Sequence, residues 1–232
     1  MTLENRRLFK DVIRLEKLAT VGQVTSGIAH EVKNQLSVLM GMQIVRNKYP
    51  NDEMIQNLAE LMNRARDRIV NLIDEVRSYS RQTGEALNRT PVDLRHLLDE
   101  TIQMVALDPD FKKVEYDVQC EAEQTLNCDA GRMLQVLVNL VRNAGQAMKG
   151  TGTVVLGGGK RNGGIEIQVI DQGCGIPEEN LEKIWEPFFT TKGDQGTGLG
   201  LQICKRIVEA HGGTLQCQSR FQEGTTFSII LP

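Results

Sequence analysis

Aromatic side chains are scarce in this sequence, at 4% of 232 residues with a single Trp. Proteins that bind single-stranded nucleic acids stack bases on aromatic side chains, and this chain has few to offer. The formal net charge of −3 also provides no excess of positive charge for a phosphate backbone. We therefore expect no nucleic-acid partner.

The cysteines show none of the spacing that metal or disulfide chemistry requires. Cys120, Cys128, Cys174, Cys204 and Cys217 are odd in number and include no C-x-x-C pair. Zinc sites and disulfide frameworks use paired, regularly spaced cysteines. Free thiols suit a reducing compartment, so we expect a cytoplasmic protein.

Long hydrophobic runs are also missing. A membrane-spanning helix needs roughly 18 to 20 consecutive apolar residues, and no run approaches that length. The first residues, 1–11, are charged rather than signal-like. We expect no membrane segment in this chain.

The first third of the sequence has the periodicity of two long amphipathic helices. Apolar residues are spaced by three and four from Leu18 to Leu39, and again from Ile55 to Tyr79. A turn-like segment at residues 48–52 separates the two runs. This pattern predicts an antiparallel hairpin whose apolar stripes are covered when two chains form a four-helix bundle. A coiled-coil spacer is the alternative on periodicity alone.

The rest of the sequence alternates between strand and helix patterns. We expect a short strand and a helix within 91–107, a strand at 114–120, and a helix over about 130–148 that Asp129 caps. Two hairpins follow, the first turning through the glycine-rich residues 157–164. The predicted fold class is α+β, with one sheet covered on one face by helices.

A carboxylate ends one of these strands. Asp171 follows the apolar strand 165–170 and precedes Gly173 and Gly175. Glycines let a ligand approach the backbone, and a carboxylate can accept a hydrogen bond from the exocyclic amine of a ring such as adenine. A steric turn with no ligand is the alternative.

A second glycine segment, 196–201, runs directly into a helical pattern. Backbone amides at a helix start, free of side-chain obstruction, favour phosphate. The spacing excludes a dinucleotide-binding fingerprint, and no Walker lysine follows. A nucleotide would therefore have to be bound by another fold.

Two asparagines lie one turn apart in the predicted helix. Asn139 and Asn143 share a face within an otherwise apolar stretch. An amide oxygen can join a hydrated Mg²⁺ to phosphates without adding charge. The alternative is that both amides are satisfied within the core.

Together these motifs resemble the ATP-binding domain of sensor histidine kinases, in order and rough spacing. They are Asn139-Leu140-x-x-Asn143-Ala144, Asp171-x-Gly173-x-Gly175-Ile176-Pro177, Glu186-Pro187-Phe188-Phe189-Thr190-Thr191-Lys192, Gly196-Thr197-Gly198-Leu199-Gly200-Leu201 and Gly224-Thr225-Thr226-Phe227. The resemblance implies the Bergerat fold of gyrase-like and Hsp90-like ATPases, with adenine held by Asp171, Mg²⁺ by Asn143, and phosphates by the lid and glycines. The nucleotide-binding residues it implies are Asn139, Asn143, Asp171, Gly173, Gly175, Lys192, Gly196, Thr197, Gly198, Leu199, Gly200 and Thr226.

The first predicted helix carries a histidine box. His30 lies off the apolar stripe and therefore faces solvent, with Glu31 beside it to orient the ring or accept its proton. The sequence resembles the H-E-x-x-N phosphoacceptor box of this family, which implies that Asn34 assists removal of phosphate from the partner. Gln35 stands where the family often has proline, so the usual helix kink is not expected.

The other two histidines are interpreted as structural. His96 fits a helix register, and His211 lies near a helix C-terminus, where a cation is favourable.

The resemblance implies a histidine kinase core that uses ATP and Mg²⁺ as a homodimer. Its expected parts are a signalling-helix tail from an absent input domain (1–14), a dimerisation and phosphotransfer hairpin (15–82), a linker (83–90) and a catalytic domain (91–232). The chain would phosphorylate His30 and transfer the phosphoryl group to an aspartate of a response regulator. The alternatives are an ATPase or serine kinase of the same fold, or an inactive scaffold.

Overall fold

The computed structural model describes most of the chain after residue 40. The described residues are 41–81, 87–120, 124–161, 163–193 and 197–232. His30, Glu31, Asn34 and Gly196 lie outside them. Among the described helices, none is both long enough and apolar enough to cross a membrane.

The chain divides into two compact units, Met1–Glu85 and Ala86–Pro232. In the first unit, helix α1 (Gly41–Lys48) is followed by helix α2 (Glu53–Arg81), and the two helices contact each other. Gln56 fixes the turn between them, because its Nε2 donates to the carbonyl oxygens of Arg46 and Tyr49, each over 3.0 Å. Two connected helices are therefore present over the described part of this unit, and the four-helix bundle of a dimer stays a prediction.

The second unit is a mixed α/β fold. Its helices and strands, in chain order, are β1 (Thr90–Asp93), α3 (Leu94–Ala106), β2 (Lys113–Cys120), β3 (Thr125–Cys128), α4 (Ala130–Ala147), β4 (Thr151–Arg161), β5 (Gly164–Asp171), α5 (Gly200–Ala210), β6 (Thr214–Arg220) and β7 (Gly224–Leu231). Five strands form one sheet in the order β2-β4-β5-β7-β6, with β2 and β4 parallel and the other neighbours antiparallel. Strands β1 and β3 form a separate antiparallel pair, which the sequence patterns did not predict.

Helices α3, α4 and α5 contact strands β2, β5 and β6 respectively, so the core lies between the helices and one face of the sheet. Strand β5 alternates accordingly, with Ile165, Ile167 and Val169 buried. Leu137 and Leu140 of α4 are also fully buried. The predicted layered arrangement of one sheet under helices is confirmed.

The predicted hairpin is present, but most of its glycine-rich segment 157–164 belongs to the strands, because β4 continues to Arg161 and β5 begins at Gly164. Gly157, Gly158 and Gly159 lie within β4 and pair with β5. A Cβ on Gly158 would lie 2.7 Å from Cδ2 of Leu94, so a larger side chain there would force the buried Leu94 side chain to move. Gly158 therefore serves packing of α3 on the sheet, and the strand is longer than predicted.

Candidate functional site

Helix α4 presents one stripe of small and polar side chains toward the candidate site. Asn139, Asn143 and Ala147 are spaced by four residues, which places them on the same helix face. Nδ2 of Asn143 donates to Oδ1 of Asn139 over 3.1 Å. This bond orients the Asn143 amide, so that its Oδ1 points away from Asn139.

The start of α4 is fixed by its own N-cap and by a contact from the end of α5. Asp129 caps the helix, because its Oδ1 accepts from the backbone N–H of Arg132 over 3.1 Å. The His211 ring connects this cap to the end of α5: Nδ1 lies 2.7 Å from the Ile207 carbonyl oxygen and Nε2 lies 3.0 Å from the Asp129 nitrogen. One ring nitrogen therefore donates while the other accepts, which only a neutral imidazole can do. The expectation of a favourable cation at this helix end is corrected, because the buried ring pairs with an N–H donor.

The second glycine segment packs on the first asparagine. A Cβ on Gly200 would lie 2.6 Å from Nδ2 of Asn139, so only glycine permits this approach. Gly200 is also the first residue of α5, and among the described residues no side chain caps that helix start. The first amides of α5 therefore begin beside the asparagine stripe.

Gly198 has a positive φ of 69° and packs against the backbone of Phe188, where a Cβ would collide. The Phe188 N–H donates to the Gly198 carbonyl oxygen over 3.0 Å. Leu199 is buried, and its N–H donates to Oγ1 of Thr197 over 3.2 Å. Hydrogen bonds at Gly198 and Leu199 and the burial of Leu199 thus fix the glycine segment just before α5.

The side chain of Lys192 reaches the second asparagine. Its Nζ donates to Oδ1 of Asn143 over 2.8 Å and also to Oε1 of Gln146. Two amide oxygens of α4 therefore already face a cationic group. Gln146 was not among the predicted residues, although its position three after Asn143 places it on a neighbouring part of the same face.

Asp171 ends β5 and is almost fully buried, at 5% exposure. Its Oδ1 accepts from the N–H of Gly173 over 2.8 Å. Burial raises the pKa of this carboxyl, while the backbone N–H groups of Gly173 and Thr225 lower it in part. Over the described residues its hydrogen-bond donors are backbone N–H groups, and a buried carboxylate of this kind is a strong acceptor for a ligand N–H group.

The loop after Asp171 rests on the end of α4. A Cβ on Gly173 would lie 2.7 Å from the carbonyl carbon of Ala147, and the Cys174 N–H donates to the Ala147 oxygen over 3.2 Å. Gly175 has a φ of 63° and packs against the carbonyl of Arg220. At both positions a neighbouring backbone lies too close for any side chain, so glycine is required. The loop that follows Asp171 therefore lies against Ala147, the third residue of the α4 stripe.

Strand register assigns Thr225, rather than the predicted Thr226, to the Asp171 face of the sheet. Thr225 pairs with Asp171, and directly paired residues on neighbouring strands point to the same side. Thr226 pairs with Ile170 and Gln218, and Gln218 is exposed on the uncovered face. Thr226 thus lies on the opposite face from Asp171, because adjacent residues of a strand face opposite ways, and its role in binding stays a prediction.

The signal for Thr225 was present in the sequence. Thr225 is two residues before Phe227, a large apolar residue, so the period of two places it on the inward face. Phe227 is buried and stacks edge-to-face on Trp185, with ring centroids 6.3 Å apart.

The described residues contain no group of three or more His, Cys, Asp or Glu side chains that could hold a metal ion. A divalent cation here would instead be bound through amide oxygens of α4 and the oxygens of a phosphate ligand. Oδ1 of Asn143 and Oε1 of Gln146 fit that role, since oxygen ligands suit Mg²⁺ and both already accept from the Lys192 ammonium.

Three motif segments that are far apart in the sequence thus meet α4 at successive turns. The glycine segment meets Asn139, the Lys192 side chain meets Asn143, and the aspartate loop meets Ala147.

Comparison with known proteins identifies relatives for this arrangement. Residues 128–232 match the family described as "Histidine kinase-, DNA gyrase B-, and HSP90-like ATPase". The chain is 35% identical over 235 residues to the sensor histidine kinase ZraS of Escherichia coli (strain K12), covering 99% of this chain and 50% of that protein. It thus spans about half the length of the curated relatives it matches.

Solved structures of histidine kinases are also similar to this chain. The catalytic domain of histidine kinase ThkA superposes with a TM-score of 0.57 at 33% identity, covering 62% of this chain and 95% of that one. Histidine kinase ThkA in complex with response regulator protein TrrA matches with a TM-score of 0.66 at 27% identity, covering 100% of this chain and 67% of that one.

Proposed function

The chain belongs to the sensor histidine kinase family, and we propose that it binds Mg·ATP on α4, phosphorylates His30 and transfers that phosphoryl group to an aspartate of a response regulator. The observation that carries the proposal is the convergence of the aspartate loop, Lys192 and the glycine segment on successive turns of one helix. This arrangement supplies an acceptor for a base at one end and donors for phosphates at the other.

The base would lie at Asp171. Its carboxylate accepts a hydrogen bond from an exocyclic amine, and burial strengthens that interaction by excluding water. The phosphates would lie toward the uncapped start of α5, where backbone amides and the helix dipole favour negative charge. The distance along α4 from Ala147 to Asn139 is eight residues, or about 12 Å at 1.5 Å per residue, which suits an extended nucleoside triphosphate.

The amide oxygens of Asn143 and Gln146 would hold Mg²⁺. A cation bound there would supply positive charge to offset that of the phosphate oxygens. Asn143 is in turn oriented by Asn139, so the helix presents its amide oxygen in a fixed direction.

Phosphoryl transfer requires His30 to reach the γ-phosphorus. A ring nitrogen forms the new P–N bond as the bond from the γ-phosphorus to the bridging oxygen breaks, and ADP leaves. Glu31 would accept the proton that the ring loses. The carboxylate of the regulator then attacks the phosphorus, the P–N bond breaks, and the imidazole recovers a proton. Incubation with γ-labelled ATP tests the proposal, because phosphohistidine is labile to acid and stable to alkali.

Exposed apolar side chains in the first unit support a homodimer. Met54, Leu58 and Leu61 of α2 and Ile44 of α1 are 79%, 46%, 65% and 73% exposed in the single chain. Covering them in a four-helix bundle of two chains would remove this surface from water. The regulator would dock on the same bundle, below His30.

Lys192→Met should weaken ATP binding about tenfold while changing ADP binding little, the order expected for losing one charge-assisted hydrogen bond to the terminal phosphate. Methionine has similar length without the charge. Isothermal titration with both nucleotides measures the effect, and Lys160→Met, an exposed lysine on β4, is the matched control. Equal loss of ATP and ADP affinity would contradict a role at the terminal phosphate.

Asn34→Ala should slow dephosphorylation of the regulator on the order of 100-fold and leave His30 labelling intact, because in the predicted helix an amide one turn from His30 would position the attacking water. The measurement is phosphate release from phosphorylated regulator mixed with the chain. Asn47→Ala, at an exposed asparagine of α1, serves as control. An unchanged rate with Asn34→Ala would remove the proposed phosphatase role.

A further inference from the structure

The hydroxyl of Ser219 lies where β6, β7 and the loop after Asp171 meet. On β6, it accepts a hydrogen bond from the backbone N–H of Ile176 over 2.9 Å and donates to the Gly224 carbonyl oxygen over 2.8 Å. Its Oγ also lies 2.9 Å from Oγ1 of Thr225. One side chain therefore contacts the aspartate loop, the turn between β6 and β7, and the threonine beside Asp171.

The number of protons on these hydroxyls decides the direction of the third bond. A serine hydroxyl has one proton and two acceptor positions. The Gly224 carbonyl can only accept, so it takes the Ser219 proton, and the Ile176 N–H can only donate. The bond between the two hydroxyls must then run from Thr225 to Ser219. Within the described part of the chain, Ser219 is the hydrogen-bond partner of the Thr225 hydroxyl.

Thr225 is thereby left with acceptor lone pairs only. It is 6% exposed and pairs directly with Asp171, so both side chains lie on one face at the end of the sheet. The carboxylate of Asp171 is likewise an acceptor. Asp171 and Thr225 therefore place two acceptors side by side at this end of the sheet, and neither the Ser219 nor the Thr225 hydroxyl keeps a proton for a ligand.

We propose that Ser219 is a positioning residue that sets base specificity, by taking the Thr225 proton and so making the pocket select purines with a 6-amino group over purines with a 6-oxo group. The proposal rests on nucleotide binding at Asp171 as put forward above. An amine offers two N–H donors to the two acceptors, whereas an oxo group would place a third acceptor against them. A site of this kind rejects the mismatched group strongly, because buried polar atoms are left unpaired.

The test compares equilibrium binding of ATP and inosine triphosphate, which differ at position 6 of the purine and at the neighbouring ring nitrogen. In the unmodified chain ATP should bind far more tightly. In Ser219→Ala the Thr225 hydroxyl is free to rotate and donate to an oxo group, so the ratio of the two affinities should fall about tenfold, the order of one buried hydrogen bond. Ser219→Thr retains the hydroxyl, so its ratio of ATP affinity to inosine triphosphate affinity should equal that of the unmodified chain.

A double-mutant cycle separates this role from simple support of the turn. If Ser219 acts through Thr225, then Ser219→Ala added to Thr225→Val should leave the affinity ratio of Thr225→Val unchanged. Gln218→Ala, at the exposed neighbouring position of β6, is the matched control, and melting temperatures show whether each variant folds.

The outcomes are distinct. Equal loss of ATP and inosine triphosphate affinity in Ser219→Ala, with the ratio kept, would show a structural role only and overturn the proposal. The proposal would also be overturned if Ser219→Ala lowered the affinity ratio as much in the Thr225→Val background as in the unmodified chain. Failure of the unmodified chain to bind ATP would instead overturn the proposed function itself.

Discussion

Asp171→Asn is expected to reduce ATP affinity by at least about 100-fold, the largest binding effect of any single change in the second unit. The carboxylate is nearly buried, and Oδ1 is already used by the Gly173 N–H. The amide of asparagine can keep that bond only by turning its NH₂ group toward the ligand. A donor would then face the exocyclic amine of adenine, and both donors would lack a partner.

The same substitution should leave the fold intact. Burial raises the pKa of Asp171 above its unfolded value, so the ionised side chain lowers stability at neutral pH; this cost declines as the pH falls through the folded pKa and is gone below the unfolded pKa. A neutral amide of equal size removes this cost, so the melting temperature should be unchanged or higher. Titration calorimetry and thermal unfolding therefore separate lost binding from lost structure.

Asp117→Asn provides the matched control for charge. Asp117 lies on β2 with its side chain partnered by Gln119 at an exposed position. Its substitution should leave ATP affinity within twofold, an effect near the thermal energy. If Asp171→Asn binds ATP as well as this control does, the nucleotide does not use Asp171.

His30→Gln is expected to abolish incorporation of the γ-phosphoryl group while ATP affinity stays within a few-fold of the unmodified chain. Glutamine is similar in length but has no nucleophilic ring nitrogen, so the P–N bond cannot form. The nucleotide contacts proposed here all come from residues after 138, which the substitution leaves alone. The measurements are label retained after alkali treatment and, separately, titration with ATP.

His96→Gln is the matched control for this change, since His96 is an exposed histidine on α3. It should incorporate label normally. Alkali-stable, acid-labile label in His30→Gln would place the phosphoryl group on another histidine. Acid-stable label would favour a serine kinase of the same fold, and steady ATP hydrolysis without label would favour an ATPase.

Parts of the site could be predicted because they depend on residues close together in the sequence. Asn139 and Asn143 share a face through helix geometry alone, and the α4 start at Asp129 follows from a side chain that caps the backbone three residues on. The buried carboxylate at Asp171 was predicted to be a site residue because strand 165–170 ends there. Each of these inferences uses a local period and needs no knowledge of neighbours.

Other parts depended on pairing between distant segments. The choice between Thr225 and Thr226 follows from a strand register with Asp171, more than fifty residues earlier. The position of Gly158 inside a strand reflects packing under Leu94, which no local pattern encodes. Glycine-rich runs are common in turns, so the tertiary contact overrode the local preference.

The sequence by itself determined the helix and strand periods, the family, and the chemical types of the groups that a nucleotide requires, since these follow from residue identity and short-range geometry. Only the tertiary structure decided which groups meet: Gly200 on Asn139, the Lys192 ammonium on Asn143, and the hydroxyl of Thr225 on that of Ser219. The physical reason is that a contact between distant residues depends on the packing of every element between them, whereas a helix turn or a strand alternation depends only on its own backbone.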